Sequence, residues 1–216
     1  MNDTDATRIE PEIDPADIDL PAALGAEVAA VYGVDSVETA TDWLDALEAG
    51  LEPTGRALGI DDLCTTETSD HVLTTPDGEQ AYQCVFDPMI VPFATDDPGT
   101  VRSTCPTTGE EITIDIGTDG VYGGPETAVF SFGVAANAAE SLGDPPLTPR
   151  ETYGSFCPYG NAFASHDAYE SWAAETDAVT TAVPLEYGVA LVGEMADRLV
   201  SEDAGGSEER PDCACC

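Results

Sequence analysis

The chain has 216 residues, room for one ordinary domain with a small appendage and for a core that needs no disulfide support. Asp and Glu number 43 against 6 basic residues, all of them Arg, giving a formal net charge of -37. Such a surface repels phosphate backbones and anionic membranes, which excludes nucleic acid and membrane as partners.

Acid is spread along the whole chain rather than gathered in a tail, the pattern of adaptation to high salt, where screening weakens self-repulsion. The amino terminus, MNDTDATRIEPEIDPADIDLP, has neither a basic nor an apolar region of the kind a secretion signal needs, and no apolar run is long enough to span a membrane. A cytoplasmic location is therefore expected. Seven cysteines there are better read as metal-binding or catalytic than as a disulfide framework.

Residues 1–20 are acidic and Pro-punctuated, the composition of a flexible arm. Residues 21–70 form a small helical subdomain, with AALGAEVAAVYG as one helix and SVETATDWLDALEAG as another, from Ser36 at the N-cap to Gly50 at the C-cap; Trp43, Leu44 and Leu47 belong to its core. A third short helix is predicted around Thr54 to Leu63. Residues 71–201 read as a mixed or antiparallel sheet core with flanking helices. HVLTTPDGEQAYQCVF is a β-hairpin about Pro76-Asp77-Gly78, and Asp87-Pro88 then suits an N-cap and the first helical residue. Ile112, Ile114 and Ile116 alternate as a strand, TAVFSFGV is another, SHDAYESWAAET is a helix capped by Ser165 or Asp167, and PLEYGVALVGEMADRLVSE is a long amphipathic helix. The class is α+β. Residues 202–216 are a flexible acidic tail ending in CACC.

The pair Cys84 and Asp87 draws notice first, because a carboxylate beside a thiol can take its proton or return it. A buried core thiol followed by a helix-capping aspartate accounts equally well for the spacing. AYQCVFDPMIVPFA, VRSTCPTTGEEITI and GSFCPYGNAFASHDAYESWA, in this order, resemble three successive blocks of the organomercurial (alkylmercury) lyase family, covering roughly Val72 to Val200. The amino-terminal helices are compatible in position with the winged-helix-like region of that family. The chain departs from the family at Gln83, where a Trp is frequent, and at Pro158, where a second cysteine is frequent.

The resemblance implies that Cys84, Asp87 and Cys157 are the functional residues, that Cys105 supports structure, and that the reaction is protonolysis of a carbon–mercury bond without an organic cofactor. The Hg²⁺ product would be held by Cys84, Cys157 and Asp87, with external thiols needed for turnover. Mercury is soft and prefers thiolate sulfur, and a nearby carboxylic acid can protonate the carbon it leaves. Convergence of the three side chains is thus required. Phe86, Tyr153, Phe156 and Phe163 are candidate walls for the organic group, and Cys64 is expected to be a buried or idle thiol. Cys213, Cys215 and Cys216 form a candidate relay passing Hg²⁺ to a mercuric reductase or another thiol carrier. The alternative function is a soft-metal binding or transfer protein, for mercury or copper, on the same scaffold without lyase activity. His71 and His166 are the only histidines, and no second C-x-x-C spacing stands beside that of Cys213 and Cys216, which argues against a structural zinc site.

Overall fold

A computed structural model describes residues 7–9, 14–52, 55, 57–117, 120–145 and 147–201, so Cys213, Cys215 and Cys216 lie outside the described residues. Strand β1 (Thr7–Ile9) is followed by helices α1 (Ala22–Tyr32) and α2 (Ala40–Leu51). α1 stops where Gly33 adopts a left-handed φ of 68° and its N–H returns to the Ala29 carbonyl, a conformation glycine takes without a Cβ penalty. α2 begins later than predicted. Its cap is Thr39, whose hydroxyl accepts from the Asp42 N–H while the Asp42 carboxylate accepts from the Thr39 N–H at 2.9 Å. The residues before it are held extended, with the Leu20 N–H on the Glu38 carbonyl and the Ala40 N–H on the Ile18 carbonyl. Gly50 lies inside the helix, and the predicted third helix reduces to a 3₁₀ turn at Ile60–Asp62, with Thr54 outside the described residues.

Strands β2 (Thr65–Thr66), β3 (His71–Thr75), β4 (Gly78–Tyr82), β5 (Gly99–Thr104), β6 (Glu111–Gly117) and β7 (Gly120–Gly124) join β1 in an antiparallel sheet of order β1-β7-β6-β5-β3-β4-β2. The predicted hairpin is its β3–β4 pair, with Thr75 opposite Gly78. Strands β8 (Val129–Ala135), β9 (Ala162–Phe163) and β10 (Ala178–Pro184) form a second antiparallel sheet of order β10-β8-β9. Helices α3 (Phe86–Thr95), α4 (Ala138–Ser141), α5 (Pro149–Phe156), α6 (His166–Ala173) and α7 (Leu185–Leu199) complete an α+β fold. Among the described residues no helix is long and apolar enough to cross a membrane.

α7 packs against α3, β8 and β10, burying Leu185, Val189, Leu191, Val192 and Leu199. Its closest approach needs a glycine: a Cβ on Gly188 would lie 1.9 Å from Phe130 Cδ2, and Phe130 is fully buried. Gly188→Ala is therefore expected to destabilise the fold by about 1–3 kcal/mol through overpacking, despite the better helix propensity of Ala. A denaturant midpoint shifted downward in molar KCl is the check.

Among the described residues Arg102 pairs with Glu79 at 2.6 Å and Arg198 with Asp45 at 2.7 Å and with Glu48, exposed pairs that neutralise little of the acid. We propose that the fold depends on salt. Dialysis from molar KCl into dilute buffer is expected to abolish the far-ultraviolet circular dichroism of the native state, and full retention of that signal would refute the dependence.

Candidate functional site

Cys84 sits in the bend between β4 and α3, and Asp87 lies in the first turn of α3. The predicted capping role is not what Asp87 does. Val85 is the N-cap, without a side-chain hydrogen bond, and the Asp87 carboxylate turns inward, where Oδ2 accepts the backbone N–H of Cys64 at 2.8 Å. Pro88 costs nothing there, because an N–H in the first helical turn has no helical acceptor.

Cys157 comes from the connection between β8 and β9. α5 delivers it: Thr148 and Glu151 form a capping box at the start, and at the end the Cys157 N–H donates to the Tyr153 carbonyl. The turn that follows is tied down by Ser131 of β8, whose hydroxyl donates to the Tyr159 carbonyl at 2.8 Å and accepts the Asn161 N–H at 3.2 Å. Asn161 donates in turn to the Pro158 carbonyl, and it also bonds the buried His71, which meets Ser103 at 2.8 Å. Burial pushes His71 down to about 4, so it bridges the network as a neutral ring at neutral pH. The Val85 N–H donates to the Gly160 carbonyl at 2.9 Å and joins the two cysteine-bearing segments directly. Gly160 permits this approach, since a Cβ there would lie 3.0 Å from Cys84 Cβ. Ser131→Ala is expected to cost about 1 kcal/mol, because it strands a half-buried carbonyl and an N–H beside Cys157. Urea unfolding of the variant measures this cost.

The two sulfurs and a carboxylate oxygen of Asp87 lie within 4.8 Å of one another, and all three residues are buried. Burial is also the main cause that raises the Asp87 carboxyl to about 6, against the opposing pull of the Cys64 N–H and of a hydrogen bond from Cys84. The group therefore exchanges its proton near neutrality. Around the triad is a cavity of about 80 Å³ with an almost wholly apolar lining, walled by Trp43, Phe86, Phe132, Tyr153 and Phe156. Trp43 stacks on Phe132 at 5.5 Å with an interplanar angle of 4°, and Phe156 lies 6.2 Å from the same indole.

Of the predicted wall residues, Phe163 is elsewhere, buried against Tyr169 and Trp172. Trp43, expected in a helical core, faces the cavity, and Phe132 was not singled out by sequence at all. Cys105 is buried away from the cavity in the tight turn before β6; burial raises its thiol, but hydrogen bonds with Thr108, Ala164 and Thr107 prevail and leave it lowered. Cys64 is buried as expected, but it is disulfide-bonded rather than an idle thiol, and its backbone is what serves the site. Among the described residues the free cysteines are Cys84, Cys105 and Cys157.

Two thiols and a poised carboxyl in an apolar cavity of an α+β scaffold could hold a soft metal with an acid at hand. A family model described as MerB, alkylmercury lyase, matches residues 64–197, more than half of the sequence, and the chain belongs to that family. The match begins somewhat before the Val72 expected from the motif blocks. No curated protein matches the chain. Among solved structures it is similar to the mercury-bound form of MerB2, with 16% identity, a TM-score of 0.45 and coverage of 61% of this chain. The matched region spans 60% of that structure's length.

Proposed function

We propose that the protein is an organomercurial lyase that protonolyses R–Hg⁺ to a hydrocarbon and Hg²⁺ with Cys84, Cys157 and Asp87. The observation that carries this reading is the convergence of both thiols on a carboxyl group raised to about 6 inside an apolar cavity. A carrier of soft metal needs the sulfurs but gains nothing from a buried acid, which costs stability.

Substrate enters as R–Hg bound to an external thiolate. One cysteine displaces that thiolate, and its proton leaves on the departing thiol. The second cysteine then binds mercury while its proton passes to Asp87; the hydrogen bond from Cys84 to Asp87 favours Cys84 in this role. Sulfur donation polarises the carbon–mercury bond toward carbon. Asp87 delivers its proton to that carbon, the bonding pair becomes the new C–H bond, and mercury stays Hg(II) on two thiolates, so no oxidant or reductant is consumed. Two external thiols afterwards take up Hg²⁺ and return protons to the cysteines. The aromatic walls receive R and keep water from the carboxyl, so that the proton Asp87 takes from Cys84 passes to carbon rather than to solvent. A mercuric reductase or another thiol carrier would accept the released Hg²⁺.

The test is headspace gas chromatography of purified protein in molar KCl with methylmercury or phenylmercury and excess small thiol. Methane or benzene above the thiol-only background supports the lyase. Hydrocarbon at background with mercury retained on the protein assigns it instead to metal binding.

A further inference from the structure

Two buried side-chain donors among the described residues have no hydrogen-bond partner, Trp43 Nε1 and Tyr153 Oη, and both residues line the cavity. An unpaired buried hydroxyl costs free energy, and its retention asks for a state in which it is paired. The surroundings of Tyr153 indicate that state. Asp87, Cys157, Asp62 and Cys84 all bear electrostatically on its phenol, and with burial as the larger cause they hold its pKa well above the ordinary tyrosine value. The phenol therefore keeps its proton, as a donor must. Tyr153 also stands one helical turn before Cys157 on α5, and its carbonyl accepts the Cys157 N–H, so its backbone is fixed relative to the reacting sulfur.

The hydrogen bonds of Asp87 complete the argument. Its carboxylate is supported by the Cys64 N–H and by Cys84. When mercury replaces the Cys84 proton, the donor on that sulfur is gone, and after proton transfer to carbon Asp87 is an anion with one support fewer in an apolar cavity. Resting on the lyase reading above, we infer that Tyr153 is a positioning residue whose hydroxyl turns onto the Asp87 carboxylate as that group gives its proton to carbon. No covalent step is added, and the phenol donates a hydrogen bond without losing its proton. The stabilised anion forms during protonolysis, so the effect falls on carbon–mercury cleavage and not on capture of mercury by sulfur.

Tyr153→Phe removes one unpaired oxygen and little else. Stopped-flow absorbance of the sulfur-to-mercury charge-transfer band reports thiol capture of methylmercury chloride, and methane in quenched single-turnover samples reports cleavage. The variant is expected to capture methylmercury at the wild-type rate and to release methane about tenfold more slowly, as suits the loss of one hydrogen bond to a charged group. Its melting temperature is expected to equal or exceed that of the wild type. Methane release at the wild-type rate, equal slowing of both steps, or a lowered melting temperature each overturns the inference. Absence of methane from the wild type itself, with the charge-transfer band intact, overturns the lyase reading and this inference together.

Discussion

Asp87→Asn is expected to slow hydrocarbon release by about 10²–10⁴-fold, the usual contribution of a positioned general acid, while the two thiols still capture mercury. Asn keeps an oxygen for the Cys64 N–H, so the local fold survives. The same substitution is expected to stabilise the protein. In the folded state the carboxyl is raised to about 6 from an ordinary 3.8. Between these values the folded chain holds a proton that the unfolded chain has released, so stability falls as pH rises through this window and stays low above it. The full shift corresponds to a cost on the order of 3 kcal/mol at pH 7, of which Asn should recover a large part. The melting temperature of the variant should thus exceed that of the wild type at pH 7 to 8, with the difference shrinking toward pH 4. A variant that is slower but no more stable at pH 7 would mean that Asp87 is ionised at little cost, contrary to its burial.

Cys157→Ser is expected to be as damaging by a different route. A serine hydroxyl is a hard oxygen ligand and cannot replace thiolate on mercury, so capture through two sulfurs is lost and hydrocarbon falls to the background set by external thiol. Because the Cys157 turn is held by its backbone, through the Tyr153 carbonyl and the Ser131 and Asn161 bonds nearby, the variant should fold. Cys105→Ser supplies the contrast. Cys105 is equally buried but stands outside the cavity, so its replacement should cost stability and leave the cleavage rate as it was. Protein-bound mercury measured by atomic absorption after gel filtration, beside hydrocarbon yield, separates the three variants. Loss of cleavage in Cys105→Ser with its fold intact would place that thiol in the chemistry.

The convergence of Cys84, Asp87 and Cys157 was expected from the first and third motif blocks that carry them, and the long α7 and the β3–β4 hairpin were legible from periodicity and turn residues. α5 was missed, since PRETYGSF has few apolar positions, yet Thr148-x-x-Glu151 is a capping-box signature and would have marked its start. The same logic separates Thr39 from Ser36: only Thr39 has an acidic residue three positions on. The support of Asp87 by the Cys64 backbone could not be read from sequence, because it joins groups 23 residues apart through a backbone donor with no side-chain signature. Trp43 is buried in the core as expected, but that it also faces the cavity was not legible, for a related reason. A buried indole looks alike on a helix whether it faces a core or a cavity, and only the positions of Phe132 and Phe156 distinguish the two.

Native mass spectrometry after one equivalent of phenylmercury, in a volatile salt concentrated enough to keep the fold, tests the central claim most directly. Cleavage at the triad predicts protein whose mass has risen by mercury alone, with one equivalent of benzene in the headspace carrying a single deuteron when the reaction is run in heavy water. Protein carrying intact phenylmercury, with no benzene released, would contradict it.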